Sequence, residues 1–534
     1  METSESELLM TYRNSWDDVK TEGVSHPRDQ SGKSPISWPD GIRYEGSVNV
    51  CQALLRNVRT CRRDDKEECQ ASGPREAERT DARHRDGTAC NSDDSSETSL
   101  SEGAVLSSVL GASTSNGMNV SDYAKPFSIS KQDVWDAYKR VKANRGAAGV
   151  DGQSISDFEE NLSGNLYKLW NRLASGSYFP PPVRRVDIPK GDGKTRPLGI
   201  PTVADRIAQM VVTRFLQPIL EPKFHVNSYG YRPEKSAKDA LSVARQRCWK
   251  YDWVLDLDIK SFFETIDHEL LMRAVRKHTT CPWVLLYIQR WLKAPTQLAD
   301  GSLIERRSGT PQGGVASPVL SNLYLHYAFD LWMEREYREI PFERYADDVI
   351  CHCESEEQAK RLKDAIEQRF IACHLELHPQ KTKIVYCKDN RRKREYPTVQ
   401  FDFLGYTFRP RLVKSRVGDF FVGFTPAISQ KSAQSVRQKI RRWEIHRRNE
   451  LSLEEIARRV NPALRGWINY YGNYYRSVLY HVLIHFDEYL ARWAMTKYKT
   501  LRRRLKRARE WVRRIARRQP NLFAHWKAFQ AMVG

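Results

Sequence analysis

The residues most able to do chemistry in this sequence are carboxylates in two short segments. The first segment is Trp253–Phe263, in which apolar and polar residues alternate. Alternation with a period of two predicts a β-strand and places Asp256 and Asp258 together on the face opposite the apolar residues. Carboxylates on a strand are costly unless they meet water or a cation. The segment is therefore either an edge strand with solvated acids or half of a cation site.

The second segment contains two adjacent aspartates, Asp347 and Asp348. Together with Ala346 they suit the tip of a β-hairpin, because Asp tolerates the backbone geometry of tight turns. The following residues, Val349–Cys351, are typical of a strand buried on both faces. Adjacent carboxylates in such a setting repel each other unless a divalent cation neutralises them. A second acidic strand earlier in the chain favours the cation interpretation.

Carboxylates from two such elements can hold a pair of Mg²⁺ ions about 3.5–4 Å apart if both face one cleft. One ion of such a pair lowers the pKa of an attacking hydroxyl group and positions it. The other stabilises the negative charge that develops on a leaving pyrophosphate. The sequence therefore predicts two-metal phosphoryl transfer, with Mn²⁺ as a substitute ion, provided that strand and turn meet in space.

The elements that must position these acids form a mixed helix and strand pattern over residues 126–415. A capping box at Ser130 starts a helix, Phe158–Leu173 predicts another helix, and Val183–Ile188 alternates like a strand. From about residue 431 the pattern is almost entirely helical. We therefore predict an α+β fold, with a mixed domain at 126–415 and a helical domain at 431–534.

Charge divides the chain in a similar way. Residues 1–125 hold 15 Lys and Arg against 22 Asp and Glu, whereas the remaining residues hold 72 against 44. The first region is poor in apolar residues, which predicts a low-complexity, disordered extension. The basic excess of the remainder predicts a polyanionic partner, with nucleic acid as the first candidate. Neither a membrane-length apolar run nor a secretion signal is found, so we expect a cytoplasmic protein without a membrane partner.

Seven motifs resemble, in the same order, those of bacterial group II intron reverse transcriptases. They are Arg196–Pro201, Ser228–Pro233, Asp258 with Phe263 five residues later, Gly309–Pro318, Tyr345–Asp348 (YADD), Leu377–Thr382 and Phe403–Tyr406. The resemblance extends over residues 130–534 and implies the fingers, palm and helical thumb of a right-hand polymerase. It also implies an RNA-directed DNA polymerase that uses an RNA template, a DNA primer and deoxynucleoside triphosphates.

The resemblance assigns roles to residues of the acidic segments. Asp258 and Asp347 are implied to ligate both metal ions, and the backbone carbonyl of Ile259 is implied as a further ligand. Asp348 is implied to support the site. Phe263 is implied to lie beneath the nucleotide sugar, where its ring would collide with a 2′-hydroxyl group and so favour deoxynucleotides. Ordinary core packing beside the preceding phenylalanine is the alternative for that ring.

Four further residues are similar to those that contact the nucleotide in this family. Lys190 and Arg196 flank a tight turn, where an ammonium and a planar guanidinium would grip the triphosphate, although Lys194 is an equivalent candidate to Lys190. Gln312 is implied to hydrogen-bond the nucleotide sugar or the template base. Lys381 resembles the lysine proposed to protonate the departing pyrophosphate, and a solvated surface lysine is the alternative.

The helical tail is strongly basic, with 25 Lys and Arg against 7 Asp and Glu over the last 104 residues. Its segment Leu464–Tyr471 resembles the maturase, or thumb, domain of the same family, which implies help in splicing the parent intron RNA. Arg441, Arg442 and Arg465 are predicted to bind RNA. We expect Asn461–Pro462 to interrupt the helical pattern.

Two other interpretations stay open at this point. The first is a non-catalytic RNA-binding splicing factor on a polymerase-derived fold. Clustered carboxylates at Asp258, Asp347 and Asp348 argue against it, because they would repel RNA. The second is a reverse transcriptase of the same lineage that serves phage defence or repair. Intron domains in the flanking DNA would favour the maturase, and an ordinary operon would favour this rival.

Overall fold

The structure is a computed structural model that describes residues 125–189, 195–415 and 417–530. The predicted extension lies outside these residues except for Lys125, and Lys190 also lies outside them. Within the described ranges, no helix is long and apolar enough to cross a membrane.

The chain up to residue 428 mixes helices and strands, as the α+β prediction requires. The helices are α1 (Lys131–Asn144), α2 (Ile155–Glu160), α3 (Leu162–Ala174), α4 (Val203–Leu220), α5 (Ala237–Lys250), α6 (Phe262–Thr265), α7 (His268–Arg276), α8 (Pro282–Lys293), α9 (Ser317–Leu325), α10 (Leu331–Glu336) and α11 (Glu356–Ala372). The strands are β1 (Val183–Pro189), β2 (Thr195–Ile200), β3 (Trp253–Asp258), β4 (Thr296–Gln297), β5 (Leu303–Ile304), β6 (Phe342–Tyr345), β7 (Asp348–Cys353), β8 (Lys383–Tyr386), β9 (Phe401–Phe403), β10 (Tyr406–Lys414) and β11 (Phe420–Ile428).

The acidic strand lies in the middle of a four-stranded antiparallel sheet with the order β6-β7-β3-β8. Apolar side chains of β3 and β7 are buried on both sides of this sheet, including Leu255 and Ile350. Because β3 has a neighbour on each edge, the edge-strand alternative is wrong. The strand ends at Asp258, earlier than the alternation suggested, and Ser261 then takes a left-handed backbone conformation with φ of 47° before α6.

The described residues form two further sheets. One has the order β2-β1-β4-β5 and carries the β1–β2 hairpin. The other has the order β11-β10-β9 and shares a hydrophobic core with the acidic sheet, in which Phe408 and Phe424 of the third sheet join Val254 and Val385 of the first. Because Val254 and Val385 lie on the same face of the acidic sheet as Asp256 and Asp258, this core covers part of the acidic face.

The predicted helix Phe158–Leu173 is interrupted. A capping box between Ser154 and Asp157 starts α2, which ends at Glu160, and α3 starts one residue beyond Asn161. The backbone of Asn161 is non-helical, with φ of −127° and ψ of 54°. Periodicity alone did not reveal the break, because α2 and α3 keep their apolar residues on faces that both pack inward.

The tail is helical and has its own hydrophobic core. Its helices are α12 (Gln430–Arg442), α13 (Leu453–Tyr471), α14 (Arg476–Lys497), α15 (Leu505–Arg518) and α16 (Ala524–Ala528). The expected interruption at Asn461–Pro462 is wrong, because α13 continues through both residues. The Asn461 side chain donates to the carbonyl of Leu522 at 2.9 Å and accepts from the amide of Ala524 at 2.9 Å, which ties this point of the helix to the tail core.

Candidate active site

The two acidic elements meet in the sheet. The antiparallel register of β3 and β7 places Asp258 directly opposite Asp348, and residues opposed in this way have Cα atoms about 4.5–5.5 Å apart. On the other side of β7, Tyr345 pairs with Asp348, so Ala346 and Asp347 form a two-residue hairpin turn. Ala346 has a φ of 58°, the left-handed conformation that short hairpin turns need. The β-turn that the sequence predicted at the two aspartates is present.

The face of β3 that carries Asp258 is strongly acidic. Burial and, to a smaller extent, the nearby charges of Asp348 and Asp258 raise the pKa of Asp256 to about 8, while Lys383 lowers it. The raised pKa reflects desolvation first and the neighbouring carboxylates second. Asp256 and Asp258 are both half-buried on this face.

A lysine contributes positive charge to this face. Lys381 Nζ donates to Asp258 Oδ2 at 2.9 Å, and the lysine side chain is 60% exposed. The segment that carries Lys381 is held against the end of β3, because His378 N–H donates to the Asp258 carbonyl at 2.8 Å and Leu377 bridges to Ile259. Among the described residues, no group of three or more His, Cys, Asp or Glu side chains is gathered closely enough to hold a metal ion.

A buried arginine that sequence reasoning missed supports the aspartate turn. Arg344 is fully buried and forms a bidentate ion pair with buried Asp330, with distances of 2.7 Å from Nε to Oδ1 and 2.6 Å from Nη2 to Oδ2. It also donates to the carbonyl of Ala346 at 3.1 Å, to Asn322 Oδ1 at 3.0 Å and to Ser228 Oγ at 2.7 Å. A charged residue in a strand otherwise buried was the available signal, because such a charge requires a buried partner.

The motif Ser228–Pro233 packs against the same turn. Tyr229 N–H donates to the carbonyl of Arg344 at 2.8 Å. Gly230 lies so close that a Cβ atom there would come within 2.4 Å of the Ala346 nitrogen. Any larger residue at this position would push the turn away. The backbone of Asp347 is therefore positioned from two sides, by the arginine and by this glycine.

Arg196 and Gln312 come together as nucleotide-site candidates. Arg196 Nε donates to Gln312 Oε1 at 2.5 Å, and Gly199 N–H donates to the Gln312 carbonyl at 2.7 Å. The next residue, Gly313, has a φ of 120°, and a Cβ atom there would lie 2.4 Å from the Gly199 carbonyl oxygen. Strand β2 and the loop before α9 therefore form one unit. The predicted partner Lys190 lies outside the described residues.

The loop that carries Gln312 begins on the backbone of Phe263. Thr310 N–H donates to the Phe263 carbonyl at 2.7 Å. The Phe263 side chain is 5% exposed and packs edge-to-face on Phe262, with ring centroids 5.3 Å apart. The backbone of Phe263 is therefore joined to the Gln312 loop, while its ring is buried against Phe262. Its predicted contact with the nucleotide sugar stays a prediction.

A second buried network, also missed from the sequence, holds the other end of this loop. Asp205 is 1% exposed and accepts from Tyr178 Oη at 2.8 Å, from Trp291 Nε1 at 2.7 Å and from Gln209 Nε2 at 2.9 Å. Gln209 in turn accepts from the amide of Ala316 at 3.2 Å through its Oε1 atom. The network therefore links the interior of the fingers to the residue that precedes α9.

The tail presents the predicted RNA-binding arginines to solvent. Arg441 and Arg442 are exposed at the end of α12, and Arg465 is exposed on α13. In contrast, Trp467 is 5% exposed and stacks on Trp443 with a centroid distance of 5.6 Å, so it is a core residue. The cations are thus on the outside of a helical unit whose aromatic residues face inward.

Two family models match the chain. The model described as reverse transcriptase (RNA-dependent DNA polymerase) matches residues 188–408, which include both acidic elements. The model described as the group II intron maturase-specific domain matches residues 433–511 in the helical tail. These two domains imply RNA and other nucleic acid as partners.

Similarity to individual proteins agrees with the family models. Protein YkfC of Escherichia coli K12 is 37% identical over 215 residues, which cover 39% of this chain and 56% of that protein. The group II intron-encoded protein LtrA of Lactococcus lactis is 35% identical over 251 residues, which cover 44% of this chain and 41% of that protein. The chain thus matches about half the length of these curated relatives. Telomerase from Candida albicans aligns over 71% of this chain and 68% of its own, with 10% identity and a TM-score of 0.38, too low to define a fold.

Proposed function

We propose that this member of the group II intron reverse transcriptase family extends the 3′-hydroxyl end of a DNA primer with deoxynucleotides on an RNA template, and binds its parent intron RNA to assist splicing. The observation that supports the polymerase activity most directly is the register that sets Asp258 opposite Asp348 beside the Asp347 turn. Acids at that spacing repel each other, and their repulsion is relieved by cations.

The ligand types present fit a pair of divalent cations, whose binding would have to draw the carboxylates closer together than they lie in the structure. Oxygen donors are what Mg²⁺ prefers, and Asp258, Asp347 and Asp348 supply carboxylates while Ile259 supplies a backbone carbonyl. When bound, the ions would supply Lewis-acid activation of the primer hydroxyl group and charge stabilisation on the leaving pyrophosphate.

The remaining site residues position the nucleotide. Arg196 offers a planar donor fork to the triphosphate, and Gln312 orients the sugar or the template base from the loop to which that arginine is bonded. The ring of Phe263, whose backbone is bonded to that loop, would exclude a 2′-hydroxyl group. Lys381 carries a proton on Nζ, 2.9 Å from Asp258, and can donate it to the leaving pyrophosphate.

The intron-binding part of the proposal is supported by the exposed cations of the tail. Arg441, Arg442 and Arg465 are outside the helical core and can reach phosphates. Removing one cation that neutralises a phosphate should reduce the slope of log K against log salt by about 0.7 to 0.9. Alanine at all three positions should therefore lower both the affinity for the intron RNA and the salt slope, while extension on a short template and primer persists.

Primer extension tests the polymerase activity. With an RNA template, a DNA primer, Mg²⁺ and deoxynucleotides, the wild-type chain should extend the primer. Asp347→Ala should abolish extension while RNA binding stays the same or tightens, because a repelling charge has been removed. Asp364→Ala, on the exposed face of α11, is the matched control and should extend normally. Extension by Asp347→Ala at the wild-type rate would defeat the site assignment.

A further inference from the structure

The β10–β11 hairpin has a packed root and an exposed end. At its root, Tyr406, Phe408 and Phe424 are fully buried. The two strands then continue in register as far as the pair Lys414 and Phe420. The four residues that follow Pro410, up to and including Lys414, extend the hairpin by about 14 Å.

The exposed end carries a concentration of large apolar side chains. Leu412 is 57% exposed, Val417 91%, Phe420 65% and Phe421 38%. These four belong to only twelve large hydrophobic residues that are exposed in the described chain. Such a concentration is costly for a solvated hairpin and marks an interaction surface. We call these four residues together with Lys414 the hairpin tip.

Cations accompany the aromatic rings. Lys414 lies opposite Phe420 on one face of the hairpin, with its Nζ 5.7 Å from the ring centroid. Arg409 is exposed further down, and burial lowers the pKa of Arg411 to about 10, with Arg409 contributing. Residues 409–421 contain four Lys and Arg against one acid.

From these observations we propose that the hairpin tip binds single-stranded RNA, by stacking an unpaired base on Phe420 and contacting the adjoining phosphate through Lys414. Rings beside cations are the arrangement used for single strands, because every base has a face to stack and every linkage has a charge to neutralise. The surplus of positive charge at the tip favours a polyanion over a second copy of this basic chain. The inference rests on the proposed function for its RNA, but the hairpin tip shares no residue with the candidate active site.

Fluorescence anisotropy with a labelled 20-nucleotide oligouridylate tests the proposal. Stacking on an aromatic side chain is worth about 1–3 kcal/mol per base, so Phe420→Ala should weaken the Kd by roughly fivefold to 150-fold. Lys414→Ala should reduce the salt slope by about 0.7. Ile371→Ser, which replaces an apolar residue of similar exposure (59%) on α11, should leave the Kd unchanged. Thermal unfolding should be alike in all three variants, because each position is exposed.

The outcomes separate this inference from the polymerase proposal. Unchanged affinity in Phe420→Ala would overturn the hairpin tip as an RNA site. A loss of self-association at unchanged affinity would also overturn it, and would assign the tip to a second copy of the chain. Extension of a short template and primer should be normal in the variant. If the wild-type chain fails to extend any primer while Phe420→Ala still loses RNA affinity, the polymerase proposal fails and the RNA site stands.

Discussion

Replacing Asp205 by Asn tests whether the buried network in the fingers positions the nucleotide loop. The network has a direction: Gln209 donates to Asp205 through Nε2, so its Oε1 is turned toward the amide of Ala316. Asp205 only accepts, from Tyr178, Trp291 and Gln209. Asparagine has the same shape but must present one amino group, which is a donor.

Every arrangement of that asparagine leaves two donors facing each other. If its amino group faces Gln209, the glutamine must turn over and then presents its own amino group to the Ala316 amide. If its amino group instead faces Tyr178 and Trp291, the indole N–H of Trp291 loses its acceptor. A buried donor without a partner costs about 1–3 kcal/mol. When the first arrangement prevails, this cost falls on the loop that carries Gln312.

Steady-state incorporation of a single deoxynucleotide measures that cost. If about 1–2 kcal/mol is lost from nucleotide positioning, KM for the nucleotide should rise roughly fivefold to 30-fold with a smaller change in kcat. Tyr178→Phe is the control, because it removes one donor to Asp205 and keeps the direction of the network, so its KM should match the wild type. A KM for Asp205→Asn within twofold of the wild-type value would refute the reasoning.

Three further predictions follow from the same geometry. Arg344→Met should destabilise the fold by about 3–5 kcal/mol in denaturant unfolding, because it leaves the charge of Asp330 buried and unpaired. The double variant Arg344→Met/Asp330→Leu should regain stability, because no unpaired charge is left. It should not regain primer extension, since the carbonyl of Ala346 still lacks its donor. Phe263→Val should admit ribonucleotides in extension assays, and unchanged sugar discrimination would return the ring to a core role. Burial raises the pKa of Asp205 from 3.8 to about 6. Between pH 4 and pH 6 the folded state therefore binds one more proton than the unfolded state. The unfolding free energy of the wild type relative to Asp205→Asn should then fall by up to about 3 kcal/mol as the pH rises through that window. A difference in unfolding free energy that does not change with pH would contradict this.

Local patterns in the sequence were sufficient to predict the acidic elements. Alternation identified β3, and turn chemistry identified the hairpin at Ala346 and Asp347, because both depend on residues that are neighbours in the chain. The motif order also identified the family and the α+β class. The same local rules misplaced the interruption at Asn461–Pro462, because the contacts that hold Asn461 within α13 come from a segment about 60 residues later.

Tertiary structure alone decided how the site is supported. The partners of Arg344 include Ser228, 116 residues away, and Gln209 reaches Ala316 across 107 residues. Whether a polar residue is a surface charge or the centre of a buried network depends on which elements pack over it. The neighbouring residues in the chain do not determine that packing. For the same reason the raised pKa of Asp256 could not be predicted, because the residues that desolvate it and the carboxylate of Asp348 approach it only in the folded sheet.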